Sequence, residues 1–381
     1  MMKIIYIVNA RIPTEKAHGF QISKTCEKFS DSGINTELWV PARKNSIKEN
    51  LFDYYGIKRN FIVKRIPCID IIFLSKYFGP LVFHVQTLFF VLRIFFKKIS
   101  KDTIIYSRDF FIVILLNLKG FNTVYNAHNW SNRRGLFLKL FLNKKTKIVC
   151  NSKGTKKEFC ERGFKNSVVV SNGVDLEKFD IILNNKQELR EKLNLPKNKK
   201  IVLYLGNLYP WKGIDIVVEV AKKNNNENIF FVVVGGTGNG LIKYRNIIID
   251  NQLSNILFVG HKKQEDTPLY LKASNVLLLP NIPISEESEK FTSPIKMFEY
   301  MASGVSVVAS DLPSIREVLN EENSVLIKAG SADSLLSGIN KVLLDNNLAK
   351  NISDKAKEDV KKYTWDEYIK KILNFIINKY E

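Results

Sequence analysis

The sequence predicts an α/β protein made of two Rossmann-like, doubly wound domains that face each other across a cleft. Three observations predict it. Short β-branched apolar runs recur, separated by stretches of helical length. The runs are continuous rather than alternating, as in strands buried on both faces. The series then halts at a polar, charged stretch and starts again. Alternation of strand and helix makes parallel sheets.

The first series places strands at 3–8, 36–40, 62–66, 103–107, 123–126, 147–150 and 168–171. The second places them at 200–205, 229–234, 256–259, 276–279, 305–309 and 324–327. Between them, Asn172-Gly173-Val174-Asp175 leads into a charged run ending Pro196-Lys197-Asn198-Lys199-Lys200. Gly and Pro punctuation with high charge suits a linker. The expected organisation is a domain over 1–175, a linker over 176–199, a second domain over 200–365, and a last helix (366–381) returning to the first domain. Ligands of such sheets bind beyond the carboxyl ends of the strands, so a cleft between the two is the expected site.

Composition narrows the class. The chain has 381 residues, 45% hydrophobic and 25% charged, ordinary for a packed protein with ample core. The four cysteines, Cys26, Cys68, Cys150 and Cys160, show neither a C-x-x-C pair nor metal-ligand spacing, so buried thiols in a reducing cytosol are expected. The apolar run after Met1-Met2-Lys3 is too short for a signal segment and reads as a first strand; a cytoplasmic location follows as an expectation. Lys and Arg number 58 against 38 acids, a formal charge of +20. That attracts polyanions without choosing among nucleic acid, anionic lipid and phosphorylated small molecules. One segment stands apart, the 16 residues LVFHVQTLFFVLRIFF at 81–96. They fall short of the ~20 needed to cross a bilayer. A core helix and a helix lying in the membrane interface beside Lys76, Arg93, Lys97 and Lys98 both remain open.

The strongest chemical signal is Phe291-Thr292-Ser293-Pro294-Ile295-Lys296, running on through Glu299 to Gly304. Ser293 reads as an N-cap, Pro294 as the first helical residue and Gly304 as the stop. A helix opening at a sheet's carboxyl edge presents unclaimed N–H groups and the positive end of its dipole, which suit a diphosphate. Lys296 in the first turn opposes that dipole unless an anion binds. Glu299, in apolar company, wants donors such as ribose hydroxyls; an i,i+3 surface ion pair with Lys296 is the other reading. A second signal is Gly206-Asn207-Leu208-Tyr209-Pro210-Trp211-Lys212-Gly213, directly after a strand and before an amphipathic helix, a phosphate-loop layout with Lys212 aimed at phosphate. The run Gly235-Gly236-Thr237-Gly238-Asn239-Gly240 invites a dinucleotide reading, but the next strand ends Val259-Gly260-His261 without the acid such a site needs. In the first half, residues 9–21 read as a long turn in which Gly19 lets backbone approach a ligand, and His128 ends a buried strand. No D-x-D occurs. No carboxylate pair is therefore available for a divalent metal, and the expected cations are lysines and helix ends.

These residues, in this order, resemble family-4 glycosyltransferases of the GT-B fold over nearly the whole chain. The resemblance rests on RIPTEKAHG, SNGVDLEKF, GNLYPWKG, VGH and TSPIKMFEYMASG…VVASDLP. It implies transfer of a sugar from a nucleotide donor to a hydroxyl of a glycan or lipid-linked acceptor, with retention and without metal or other cofactor. Surface polysaccharide, lipopolysaccharide or glycoconjugate synthesis is the implied setting, with contact with the membrane's inner face as a further possibility. It implies Lys212 on the diphosphate, Glu299 on the ribose, the amides after Ser293 on phosphate, His261 beside the base, His128 on the donor sugar, and Gly19 and Gly236 near the donor. Two departures stand out. Asn207 replaces the family's usual Arg, a loss that Lys296 can offset. Phe291 stands where a first Glu is common; either Glu289 takes its place, or backbone amides of Phe291 and Thr292 with Pro294 beside them hold the sugar. A sugar-nucleotide epimerase of similar shape and a basic nucleic-acid-binding protein are the competing expectations; no nucleic-acid motif supports the latter.

Overall fold

The structure, a computed structural model, describes residues 2–130 and 132–377. The chain divides into two compact units. One runs to Ser171 and resumes at Tyr368; the other is Asn172–Glu367.

The N-terminal unit holds a seven-stranded parallel sheet: β1 (Lys3–Ile7), β2 (Asn35–Ala42), β3 (Ile62–Pro67), β4 (Ile104–Ser107), β5 (Asn122–Ala127), β6 (Lys147–Cys150) and β7 (Ser167–Val169), in the order β3-β2-β1-β4-β5-β6-β7. Ile5 of β1 lies between Glu37 and Ile105. The C-terminal unit holds six parallel strands: β8 (Lys200–Leu205), β9 (Ile229–Val234), β10 (Ile256–Gly260), β11 (Val276–Leu279), β12 (Ser306–Ser310) and β13 (Val325–Ile327), in the order β10-β9-β8-β11-β12-β13. Both are doubly wound orders. Their topological switch points lie between β1 and β4 and between β8 and β11, where ligands of such sheets bind.

Continuous apolar strands follow from cover on both faces. In β8, Ile201 and Leu203 enter one core cluster and Val202 and Tyr204 the other. Every strand expected from the sequence is present within a residue or two at its ends.

Three expectations change. Residues 176–199 carry the helices Glu177–Asp180 and Lys186–Lys192 rather than an open linker. Phe179, Leu189 and Leu195 enter the C-terminal core, and the Arg190 guanidinium donates to the carbonyls of Ala273, Lys197 and Lys199. Residues 17–21 are not turn but the start of the helix Ala17–Asp31. The last helix is Trp365–Ile377, with residues 378–381 of its expected span outside the described residues. From Tyr368 it belongs to the N-terminal unit, where Lys147 Nζ donates to its carbonyls at Phe375 and Ile376 (2.8 and 2.7 Å).

The helix Leu81–Phe95 takes something from both open readings. Val82, Gln86, Phe90, Val91 and Ile94 are buried, the last three in a cluster with Ile5, Ile7 and Ile105. Yet Leu81, Phe83, Leu88, Phe89 and Leu92 are exposed. A helix apolar all round but buried on one side leaves an apolar face uncovered. Among the described residues, no helix is long and apolar enough to cross a membrane. All four cysteines are free, with Cys26 and Cys150 buried.

Candidate functional site

In the C-terminal unit, polar groups gather at the β8/β11 switch point. After β8 the chain forms a tight turn, Pro210–Lys212, and enters the helix Ile214–Lys223. The loop after β11 clasps this turn: Ile282 N donates to the Trp211 carbonyl at 2.9 Å, and Pro280 O lies where a side chain on Gly213 would begin. Lys212 is held there with its ammonium 5.2 Å from the Trp211 ring centroid and 5.8 Å from that of Tyr209. Burial lowers its pKa to about 8.

Lys296 is more extreme. It is 7% exposed, and its Nζ is buried without a hydrogen-bond partner among the described residues. The ammonium lies 4.4 Å from the Tyr204 ring centroid, and the Tyr204 hydroxyl donates to Asn207 O at 2.8 Å. A Cβ on Gly206 would sit 3.7 Å from Lys296 Nζ. The amine is therefore beside the loop that carries Asn207. Burial, then the neighbouring Lys212, depresses its pKa well below the ordinary lysine value. Two amines gathered in a desolvated site, one without a hydrogen-bond partner among the described residues, destabilise the empty protein and favour an anionic occupant.

The helix beside them begins one residue later than expected. It spans Ile295–Ala302, with Pro294 as its extended N-cap and no side-chain cap. Ser293 is not the cap: its hydroxyl accepts from Asn172 N at 3.3 Å and its carbonyl from Asn172 Nδ2 at 2.5 Å. Pro294 has no N–H, so the first amides available to an anion are those of Ile295 and Lys296. Glu299 is buried, accepts from Gln264 Nε2, and makes no ion pair with Lys296 among the described contacts. The surface-pair reading fails because both side chains are inside. Burial raises the Glu299 pKa to about 7, with the Gln264 hydrogen bond opposing.

The remaining predicted residues are placed unevenly. Gly236 follows β9 with φ 81°, and a Cβ there would lie 2.4 Å from Leu208 Cδ1. Its lack of a side chain thus serves packing between two loops. His261 is exposed just after β10. Glu289 is half-buried in the π-helical turn Glu287–Phe291; Phe291 is buried in the protein, and Thr292 is half-buried beyond it. Sequence reasoning missed Asn281. It follows β11 at the switch point, is 1% exposed, and neither side-chain amide atom has a hydrogen-bond partner among the described residues. Its place directly after a central strand was the only available signal.

In the N-terminal unit, His128 follows β5 with its Nε2 buried and without a hydrogen-bond partner among the described residues. Burial, Arg108 and His18 push its pKa well below the ordinary histidine value, so the ring is neutral at pH 7. Gly19 has no room for a side chain: a Cβ there would lie 2.1 Å from the Tyr55 hydroxyl, which is fixed by Thr14 N and O (2.7 and 2.9 Å). Beside it, a cavity of about 830 Å³ opens at the β1/β4 switch point, with Asn9, His18 and Arg108 in its wall. Among the described residues no three His, Cys, Asp or Glu side chains converge as a metal site would require.

Two family models match the chain, the group 1 glycosyl transferases over residues 185–359 and glycosyltransferase family 4 over 23–178. The chain belongs to the family-4, group 1 glycosyltransferases, and its fold is GT-B. An uncharacterized glycosyltransferase of Methanocaldococcus jannaschii, MJ1069, is 27% identical over 85% of this chain and 87% of its own length. A second from that organism, MJ1607, is 26% identical over 60% of this chain, a match that takes in only 58% of the relative. An Escherichia coli UDP-Gal:alpha-D-GlcNAc-diphosphoundecaprenol alpha-1,3-galactosyltransferase is 30% identical over 49% of this chain and 48% of its own length. Among solved structures, Anabaena Alr3699/HepE in complex with UDP superposes with TM-score 0.75 at 17% identity, covering 98% of this chain and 99% of that one. Sucrose-phosphate synthase of Thermosynechococcus elongatus gives 0.74 at 16%, covering 98% of each. These likenesses show the fold alone. The family match favours a transferase over the epimerase and nucleic-acid readings.

Proposed function

We propose that the C-terminal unit binds a nucleotide-sugar donor and that the protein transfers the sugar, with retention, to a hydroxyl of a glycan or lipid-linked acceptor. The observation that carries this reading is the Lys296 Nζ, buried without a hydrogen-bond partner among the described residues, with Lys212 close to it and the N-terminus of the Ile295–Ala302 helix on its own element. A diphosphate supplies the missing negative charge, and the Ile295 and Lys296 amides supply hydrogen bonds. Asn207 is the neutral member of this cradle. Glu299, regaining its charge, accepts from the ribose hydroxyls. His261 lies beside the base, Gly236 under the phosphate loop, and Glu289 with the Thr292 backbone near the sugar. In the N-terminal unit, His128 is assigned to the transferred sugar on the strength of an Nε2 that is buried without a partner among the described residues. Gly19 and the Ser293 hydroxyl are assigned no ligand contact.

In the reaction the bond from the anomeric carbon to the diphosphate oxygen breaks as the acceptor oxygen bonds to that carbon from the leaving-group face. The acceptor proton passes to a phosphate oxygen. Lysines and helix amides stabilise the charge that develops on the diphosphate, so no metal is required. The relatives' printed activities support a role in surface polysaccharide, lipopolysaccharide or glycoconjugate synthesis, with the protein in the cytoplasm and peripheral on the membrane. A thermal-shift panel of sugar nucleotides with EDTA present tests the donor reading. One nucleoside diphosphate series should raise the melting temperature of the native protein and not of Lys212→Ala. Equal response of both proteins to every nucleotide would reject it.

A further inference from the structure

Glu299 sits in a helix whose neighbouring residues Met297, Phe298, Tyr300 and Met301 are all buried. A carboxylate in such company stays charged only where donors reach it. Among the described contacts one side chain does so: the Gln264 amide donates from Nε2 to Glu299 Oε1. Burial raises the Glu299 pKa to about 7, and this hydrogen bond leads the influences that oppose the rise. Lys178 and Asp175 also act on the carboxylate, with opposite signs, and lie 3.8 Å from each other. Their effects offset. Lys296, on the same helix, forms no ion pair with Glu299 among the described contacts.

The chain around Gln264 is braced for this role. Gln264 stands in the loop between β10 and the helix Thr267–Lys272. Asp266 N donates to Lys263 O at 3.1 Å and closes that loop as a turn. Tyr270 and Leu271, just beyond it, share a core cluster with Met297, Phe298 and Met301. Turn and helix are thus anchored in one core, which fixes the amide against the carboxylate. A carboxylate offers about four acceptor positions. Gln264 takes one and leaves the others for a vicinal diol. An ammonium in its place would neutralise the acid, whereas an amide orients it and leaves the charge for the ligand.

We propose that Gln264 is a positioning residue for donor binding: its amide orients the Glu299 carboxylate and keeps it available as the acceptor for ribose hydroxyls. The role runs through Glu299 and rests on the nucleotide-sugar reading of the site.

Dissociation constants of the full chain measured across pH 5.5 to 9 test it. The probes are UDP, GDP, ADP and CDP and, for whichever binds most tightly, its 2′,3′-dideoxy counterpart. The dideoxy nucleotide carries the same diphosphate, so it cancels the titration of the ligand itself. Affinity for the ribonucleotide should fall as pH drops through the folded Glu299 pKa, because the acid gains a proton and loses an acceptor. Gln264→Ala removes an influence that lowers that pKa. The acid limb should therefore move up by about one pH unit, the scale of a hydrogen bond to a charged group. The alkaline limb, set by Lys212, should stay in place. At pH 7 the ribonucleotide should lose about fivefold in affinity and the dideoxy nucleotide nothing. Gln264→Glu has the same shape but, once ionised, cannot donate and adds like charge, so it should move the limb at least as far.

A second readout needs no nucleotide. The stability that Glu299 loses as pH climbs from 4.5 to its folded pKa should go on falling to higher pH in Gln264→Ala. That extra decline should vanish when Glu299→Gln is added. Coincident acid limbs in the native protein and both variants overturn the proposal. So does an equal loss for ribo- and dideoxynucleotide, which would make Gln264 a packing residue. If none of the four nucleotides binds, the donor reading fails, and the stability profiles by themselves uphold or reject the coupling of Gln264 to Glu299.

Discussion

The two sheets share a strand order around their switch points, β3-β2-β1-β4 in one and β10-β9-β8-β11 in the other, but the switch points hold opposite chemistry. The C-terminal one concentrates titratable groups in a desolvated place: Lys296 without an acceptor among the described residues, its pKa depressed by burial and then by Lys212, and Glu299 with its pKa raised to about 7. The N-terminal one is an open pocket whose wall holds both Arg108 and Asp109 beside the aromatic rings of Phe83 and Phe111. Topology locates a ligand site; the side chains grafted there set what it takes. One site stores unfavourable electrostatics that a compact anion would relieve. The other is wider, more open and carries charges of both signs.

The sharpest test of this contrast is Lys296→Met. Transfer should fall by roughly 100-fold or more, as on losing an oxyanion donor, while the ligand-free protein melts higher at pH 7. The sign follows from the depressed folded pKa: between it and the ordinary lysine value the unfolded chain binds more protons, so stability rises with pH. The substitution should flatten that rise. Scanning calorimetry from pH 6 to 10 reads it, and a lower melting temperature with normal turnover would break the comparison. Donor affinity supplies the next test. With Lys212 titrating at about 8, nucleoside diphosphate binding should weaken by up to about tenfold per pH unit above that value. A flat profile to pH 10 would remove Lys212 from the phosphates.

Glu299→Gln should cost about tenfold in nucleotide affinity, the scale of a hydrogen bond to a charged acceptor. Its stability effect has the opposite pH sign to that of Lys296. A carboxyl raised from 4.5 to about 7 contributes stability that declines as pH climbs across that window. The variant should lack this decline and gain on the native protein at pH 8. Gly19→Ala marks the smallest effect on chemistry. The added methyl meets the Tyr55 hydroxyl, so ~1–3 kcal/mol of stability should be lost by overpacking. Nucleotide affinity should be unchanged; a selective loss of affinity would return Gly19 to the phosphates.

The amino-acid pattern determined the strands, their grouping into two sheets and the loops that bear chemistry, because doubly covered strands must be continuously apolar and helix starts carry local signals. It also marked Lys212, Lys296 and Glu299 as candidates, while Asn207 stood out only through the family resemblance. It misread local features whose partners are far away in sequence. Ser293 looks like a cap, but its hydroxyl meets Asn172. Residues 176–199 look like a linker, but Arg190 reaches carbonyls across the core edge. Asn281 carries no local signal at all. Only the tertiary structure settled which charges lie buried without partners and which face of the Leu81–Phe95 helix stays uncovered. Burial and pairing are properties of what packs around a residue, and a chain's periodicity shows that a helix is apolar without showing what covers it.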